Sequence, residues 1–448
     1  MTYHFNTYDL VVGLGRSGLS MARYLNHLGR NVIATDIDAS KTREAAGLKA
    51  LGIPTQIGAH DQTLFDQADR IVPSPGIPLS LSYIQNAKAK GVTIIGELDI
   101  FYRHNTTPVI SVTGSNGKTT TTRLIADMAN ASGLSCFVGG NIGTPLVEYL
   151  MTDMDTDLVV AEISSFQLDL AQIFTPQIGV LLNISPDHLD RYPNYKAYQD
   201  AKWRLFANQD KDCTAVLNDA IENFNARKAA IAAQIFSFSP QTTTATTTDI
   251  RLHVNEKDIT IPAAALGRLP GGHNKENIIA AALAVLAAGG NETGICSGLQ
   301  TFVPLAHRIQ FIQKINGIKF YNDSKATNTD AVIRAIQAFD APISLILGGR
   351  EKDTDFTELM PYLKNVTSIT ALGEAANNIQ KVLGQAVTVT PCRSMSQAVH
   401  HAHNTATPGD IVLLSPACAS YDMYNNYEER GTDFTQCVNR LSMEVSHG

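Results

Sequence analysis

The run Thr113-Gly114-Ser115-Asn116-Gly117-Lys118-Thr119-Thr120 constrains this chain more than any other feature. Before it stands Val109-Ile110-Ser111-Val112, which reads as a buried strand, and after it TRLIADMANASG, which reads as a helix. A strand, a glycine turn and a helix in that order bring backbone N–H groups together on phosphate oxygens, and the helix N-terminus adds a favourable field. Gly114 and Gly117 permit the turn, Lys118 is expected to reach the transferring phosphate, and the Thr119 hydroxyl to ligate magnesium. The spacing departs from the general GxxxxGK pattern, because Val112 stands where the first glycine belongs. The whole loop (Gly114, Ser115, Asn116, Gly117, Lys118, Thr119 and Thr120) is expected to hold ATP.

The rest of the chain reads as α/β. A length of 448 residues is too great for one hydrophobic core and suggests roughly three domains. In the first, strands at Tyr8–Val12, Asn31–Thr35, Arg70–Val72 and Val92–Ile95 alternate with a helix at Leu19–Leu28, as a parallel sheet with crossover helices requires. His104 to Pro108 reads as a linker. The second opens on the phosphate-loop strand and continues through strands at Leu158–Ala161 and Ile178–Leu182. A threonine-rich loop at 241–248, a hairpin-like RLHVNEKDITI and a helix from about Asn277 to Ala288 follow. The third begins near Pro304, with strands at Ile318–Tyr321, Ile343–Leu347, Ser368–Leu372 and Ile411–Leu414. The expected boundaries are 1–105, 106–303 and 304–448: Rossmann-like, P-loop ATPase-like and again Rossmann-like.

Charge and cysteine usage exclude some partners. A net charge of -7 argues against a nucleic-acid partner, which needs a basic face. Six cysteines without CxxC spacing read as reduced thiols, and no apolar run approaches the ~20 residues of a membrane span. Those features, with an N-terminus that lacks a signal pattern, make the cytoplasm the expected location and a monomer the expected state.

Three residues outside the loop stand out. Glu162 follows the apolar strand LVVA, at the carboxyl edge where ligands bind in open α/β sheets, so it reads as a metal partner or as a helix cap. His188 also follows a buried strand, in a cluster with Asp187, Asp190 and Arg191, and reads equally as structural or as a ligand. Lys202 falls on the apolar stripe (Tyr195, Tyr198, Leu205, Phe206) of a helix capped by Asn194. Periodicity alone makes it a lysine snorkelling from an apolar face. Near the start, Gly13-Leu14-Gly15-Arg16-Ser17-Gly18 fits GxGxxG with Asp36 at the next strand's end, which read alone suggests NAD binding.

Ten segments in order resemble the Mur ligase family of amide-forming, peptidoglycan-building enzymes, over essentially the whole chain: GLGRSGLS (13–20), SPGI (74–77), TGSNGKTT (113–120), GGNIG (139–143), EISSFQL (162–168), DHLDRYP (187–193), GGHNKEN (271–277), His307-Arg308, NDSKATN (322–328) and LLSPACASYD (413–422). The resemblance, strongest to the member that adds D-glutamate, implies that ATP phosphorylates the carboxylate of UDP-MurNAc-L-alanine. The amine of D-glutamate then attacks the acyl phosphate. It implies two magnesium ions, the first held with the ATP phosphates by Lys118, Thr119 and Glu162, the second joined by His188. It also implies a carbamylated lysine at Lys202, which would turn a repelling ammonium into a metal-binding anion and reverses the snorkelling reading.

The same resemblance implies roles for the rest. Arg16 and Ser17, with Asp36 nearby and Ser74 and Gly76 opposite, would hold the UDP part; Asn141 would contact the muramyl-L-alanine arm, and His188 would lie beside the substrate. Asp38 sits where relatives can have a basic residue against uracil, a departure from the pattern. Asn274 and Asn277 would contact ATP from one helix face, joined by Arg308 and Asp323 once the third domain folds over the second. Lys325, Thr327, Lys352, Ser420 and Tyr427 would bind D-glutamate; Tyr427 replaces a common phenylalanine, and Arg350 and Glu351 precede the lysine.

Three other readings compete. Another Mur ligase or a folylpolyglutamate synthetase-like amide ligase would share the middle segment, but GLGRSGLS and SPACASYD fit the D-glutamate adder better. An NAD oxidoreductase would leave TGSNGKTT and Glu162 without a use. A nucleotide-switch binding protein would release no phosphate when precursor and amino acid are both present.

Overall fold

The computed structural model of the chain describes residues 7–189, 191–238, 249–254, 257–263, 272–351 and 354–447. The central strands of its three larger sheets are buried on both faces, as parallel strands covered by crossover helices must be. The first sheet contains β1 (Asp9–Val12), β2 (Val32–Asp36), β3 (Thr55–Ile57), β4 (Arg70–Pro73) and β5 (Thr93–Ile94), in the order β3-β2-β1-β4-β5 and all parallel. The order reverses between β1 and β4, so the loops after these two strands open a crevice at their carboxyl ends. The helix after β1 starts at Arg16, not at Leu19, because its first turn is the polar end of the glycine loop and carries no apolar signal.

The second sheet contains β6 (Val109–Thr113), β7 (Cys136–Gly140), β8 (Leu158–Glu162), β9 (Ile178–Leu181), β10 (Thr214–Asn218) and β11 (Gln234–Phe238), ordered β11-β10-β9-β6-β8-β7. Central β6 pairs with β8 on one side, Val112 opposite Glu162, and with β9 on the other. That register alone sets Glu162 beside the turn that follows Thr113. The segment RLHVNEKDITI supplies both arms of an antiparallel hairpin, β12 (Ile250–Val254) and β13 (Lys257–Ile261). The threonine-rich stretch 241–248 lies outside the described residues.

The third sheet contains β14 (Gln310–Ile315), β15 (Ile318–Asn322), β16 (Ile343–Gly348), β17 (Val366–Leu372), β18 (Val389–Pro391) and β19 (Ile411–Leu414), ordered β14-β15-β19-β16-β17-β18. All neighbours are parallel except the β14–β15 hairpin. Late-coming β19 inserts between β15 and β16, so three loops from distant parts of the sequence emerge side by side.

The chain divides into two compact units, Met1–Ile184 with Asn194–Ala263 and Asn277–Thr301, and Ser185–Pro193 with Ala264–Glu276 and Phe302–Gly448. The first holds the first two sheets, joined by the helix Glu97–His104. Its Asp99 carboxylate accepts from the backbone N–H groups of Gln172, Ile173 and Phe174 at 2.9 to 3.0 Å. Buried Glu97 accepts from Leu146 N at 3.2 Å and Gln167 Nε2 at 3.3 Å, and burial raises its pKa to about 7. No helix among the described residues is long and apolar enough to cross a membrane.

Candidate active site

The phosphate loop bridges β6 and the helix Lys118–Ala131. Gly117 takes φ +86° as the residue before that helix, and a Cβ there would lie 2.3 Å from Asn277 Oδ1. Handedness and crowding both demand glycine at this position. The loop is pinned from the β9 side: Ser115 N donates to Asn183 O at 3.0 Å, Asn116 N donates to Asn183 Oδ1 at 2.8 Å, and Asn183 Nδ2 donates back to Asn116 O at 3.0 Å. Asn183 stands just beyond β9, at the point where the strand order reverses. Thr120, like Thr119, is buried in the first turn of the helix.

Lys118 is half-buried and its Nζ donates to Gly114 O and Ser115 O, both at 2.8 Å. The ammonium is thus folded over the turn that would cradle a phosphate. Lys202 approaches the same carbonyl from the helix Tyr195–Trp203, donating from Nζ to Gly114 O at 2.9 Å. Asn194 caps that helix, its side chain accepting from Ala197 N at 2.9 Å. Lys202 points inward at 2% exposure, its Nζ 4.6 Å from the centre of the Tyr198 ring, and Tyr198 Oη meets Ser115 Oγ at 3.0 Å. A snorkelling lysine would reach solvent; this one does not.

Glu162, 2% exposed, ends β8 with its carboxylate between two neutral donors. Thr119 Oγ1 donates to Oε2 at 2.7 Å, and Asn141 Nδ2 donates to Oε1 at 2.8 Å. No group of three or more His, Cys, Asp or Glu side chains that could hold a metal occurs among the described residues. Magnesium does not need one: it keeps several waters and takes one or two protein oxygens besides the phosphates of its substrate. A hydroxyl and a buried carboxylate at the mouth of a phosphate loop fit that demand.

At the first sheet the glycine loop after β1 faces the loop after β4, and Ser74 Oγ donates to Gly13 O at 3.0 Å. Arg16 is exposed and donates from Nη1 to Gly143 O at 2.8 Å, which ties this loop to the GGNIG turn that carries Asn141. Ser17 is half-buried and Gly76 exposed at the same edge. Asp36 already has a use within the fold: its Oδ2 accepts from Leu14 N at 2.6 Å, holding the glycine loop, while Oδ1 accepts from Asp38 N at 2.9 Å. Asp38 itself is exposed and accepts from Ser40 N at 2.8 Å.

Asn274 and Asn277 are both buried on the helix Gly272–Ala287. In the second unit, His188 takes φ +55°, and its N–H donates to Asp187 Oδ1 at 2.9 Å. Asp187 also accepts from Asn328 Nδ2 at 3.1 Å, which anchors this turn to the start of the helix Thr329–Ile336. Asp190 lies outside the described residues.

Asp323, 7% exposed just after β15, accepts from Ser415 Oγ at 2.9 Å and from Ile309 N at 3.2 Å. Burial lifts its pKa to about 7, partly offset by these donors and by the charge of Arg308. Lys325 Nζ donates to Tyr427 Oη at 2.8 Å and lies 4.4 Å from that ring's centre. Thr327 is half-buried and Ser420 buried near the same loops, whereas Lys352 lies outside the described residues.

Sequence reasoning overlooked Asn183, although it carries the signal that exposed Glu162: a first polar residue after an apolar strand. It read Tyr198 only as part of an apolar stripe. Arg430, a buried cation of the second unit, gave no signal.

Comparison with known proteins agrees with this architecture. Residues 7–96 match the "Mur ligase MurD-like, N-terminal domain", 112–285 the "Mur ligase middle domain", and 307–418 the "Mur ligase, glutamate ligase domain". The UDP-N-acetylmuramoylalanine–D-glutamate ligase of Desulfosudis oleivorans is 40% identical over 442 residues, 96% of each chain. That of Geotalea uraniireducens is 39% identical, covering 96% of this chain and 97% of its own. Among solved structures, a pseudomurein peptide ligase type C from Methanothermus fervidus superposes with a TM-score of 0.59 at 18% identity, covering 97% of this chain and 100% of its own. The UDP-N-acetylmuramate-alanine ligase MurC of Thermotoga maritima gives 0.59 at 17% identity, covering 97% and 99%. At such identities the structures speak for the fold alone. The relatives carry the assignment, and on their identity and coverage this chain belongs to the Mur ligase family.

Proposed function

We propose that the chain is an ATP-dependent ligase that adds D-glutamate to UDP-N-acetylmuramoyl-L-alanine, by way of an acyl phosphate, in peptidoglycan precursor synthesis. The observation that carries this reading is the contact between the phosphate loop and a buried carboxylate, Thr119 Oγ1 to Glu162 Oε2 at 2.7 Å, with Thr119 opening the helix after β6 and Glu162 ending the adjacent parallel strand β8. The names of the relatives supply the amino acid. The reading takes residues 1–105, 106–303 and 304–448 as UDP-substrate, ATP and amino-acid domains.

The loop's N–H groups hold the phosphates of ATP, and Lys118 leaves its own carbonyls to follow the γ-phosphate as negative charge moves. Asn274, Asn277, Arg308 and Asp323 complete the ATP contacts. Thr119 and Glu162 would hold a first magnesium, which would supply charge neutralisation for the transferring phosphate. His188 and a carbamylated Lys202 would serve the second ion in this reading. Arg16, Ser17, Asp36, Ser74 and Gly76 bind the UDP part, and Asn141 the muramyl-L-alanine arm.

Chemically, a carboxylate oxygen of the L-alanyl group bonds to the γ-phosphorus as ADP leaves. The neutral amine of D-glutamate then bonds to the acyl carbon, phosphate departs with that oxygen, and the amine gives up a proton. Lys325, Thr327, Lys352, Ser420 and Tyr427 receive the two carboxylates of D-glutamate. Such a pocket needs cations and hydroxyls, and these residues are of those types.

The test supplies ATP, magnesium and UDP-MurNAc-L-alanine with one amino acid at a time. Phosphate release is expected with D-glutamate and not with L-glutamate or meso-diaminopimelate. Equal release with either of those would overturn the specificity, and nicotinamide-dependent absorbance change in place of phosphate release would overturn the reaction class.

A further inference from the structure

Arg430 is 3% exposed, and its guanidinium donates to three loop carbonyls and one loop hydroxyl. Nε donates to Ser324 Oγ at 2.9 Å, Nη2 to Ser324 O at 2.7 Å, and Nη1 to Cys418 O at 3.0 Å and Gly348 O at 3.5 Å. These acceptors follow or end three neighbouring strands: Ser324 lies after β15, Cys418 after β19, and Gly348 closes β16. One planar fork therefore spans the carboxyl edge of the sheet at the strand that inserts last. A lysine has one nitrogen and could not reach all three loops at once. Burial pulls the pKa of Arg430 down only to about 10, so the group stays charged near neutrality.

The surroundings are built to this group. The chain passes so close at Gly349 (φ +137°) that a Cβ would lie 3.0 Å from Arg430 Nη1 and 2.2 Å from Ala419 O. Ser324 is shared: its hydroxyl accepts from Arg430 Nε and donates to Tyr427 O at 2.8 Å. Tyr427 and Arg430 stand three residues apart at the start of the helix Tyr427–His447, on one face, and Tyr427 Oη accepts from Lys325 Nζ at 2.8 Å. Ser324, Lys325, Tyr427, Cys418 and Ser420 are thus linked by covalent neighbourhood or hydrogen bonds to a single buried cation.

We propose that Arg430 is a positioning residue for the amino-acid substrate: it holds the loops after β15, β16 and β19 in one register, and so fixes Lys325, Ser420 and Tyr427. This rests on the reading above, in which those side chains receive the amino acid. Lys118, Thr119 and Glu162 belong to the other compact unit, and Asp323, the ATP candidate next to Ser324, has its own donors in Ser415 Oγ and Ile309 N, so the larger effect falls on the amino acid.

Steady-state kinetics on Arg430→Lys tests it, with thermal melting as a check on folding. The KM for D-glutamate is expected to rise at least about tenfold, while those for ATP and UDP-MurNAc-L-alanine stay within about twofold. An unchanged KM for the amino acid in a folded variant, or a parallel rise of all three, would overturn the proposal. If Arg430→Lys does not fold, Ser324→Ala removes one acceptor and should shift the same KM alone by about threefold; no shift there overturns it equally. Should the wild-type enzyme turn over a different amino acid, the substrate assignment fails and the same comparison is made with that amino acid. The two failures remain distinct.

Discussion

Lys118→Ala is expected to lower phosphate release by about a thousandfold or more, with the melting temperature nearly unchanged. The asymmetry follows from what the side chain does in the fold. It donates to carbonyls of its own turn, Gly114 O and Ser115 O, both at 2.8 Å, and it is only half-buried. Each such bond contributes roughly 1 kcal/mol net, and water replaces it when the side chain goes. Against a migrating phosphoryl group the same ammonium has no substitute, because the loop otherwise offers only neutral N–H groups. Kinetics and melting on the same preparation separate these roles. Activity within about tenfold of wild type would remove Lys118 from the transfer step.

Lys202→Ala is expected to lower turnover by about a hundredfold or more, for a different reason. An ammonium buried at 2% exposure, 2.9 Å from Gly114 O, would compete for the loop with the cation that phosphate chemistry needs. Carbon dioxide adding to the neutral amine forms an N–C bond, releases one proton and leaves an anion in the ammonium's place. Enzyme equilibrated with ¹³C-bicarbonate should then show a carbamate carbon resonance that Lys202→Ala lacks. Identical spectra for the two proteins, or turnover unaffected by rigorous removal of carbon dioxide, would show that the lysine works unmodified.

Much of this site was legible in the sequence because its local signals agree. The strand Val109–Thr113 and the helix Lys118–Ala131 each carry their own periodicity, and the glycines between them have no structural role except a turn. Glu162 was legible as the first polar residue at the end of an apolar strand. Its contact with Thr119 depended on the β6–β8 pairing, which the sequence does not spell out. Asn183 pins the loop only because β9 is the other neighbour of β6. Sheet order, rather than local pattern, hid it.

Other residues were illegible because their surroundings come from far along the chain. Arg430 sits in YEERGTDF, which reads as a solvated helix start; burial comes from β19 inserting between strands more than twenty residues apart in sequence. Asp36 was read toward the UDP ligand, and its position at the end of β2 is as expected. The fold also gives it Leu14 N, a tie that links the two edge loops before any ligand arrives. Ser17, Gly76 and Thr327 make their case only through the family resemblance.

The central claim is that the loop delivers a γ-phosphate onto a carboxylate. UDP-MurNAc-L-alanine labelled with ¹⁸O at both oxygens of its alanyl carboxylate tests it in one turnover. An acyl phosphate must pass one labelled oxygen to the inorganic phosphate and leave the other in the amide. Release of unlabelled phosphate, with amide still formed, would contradict the account.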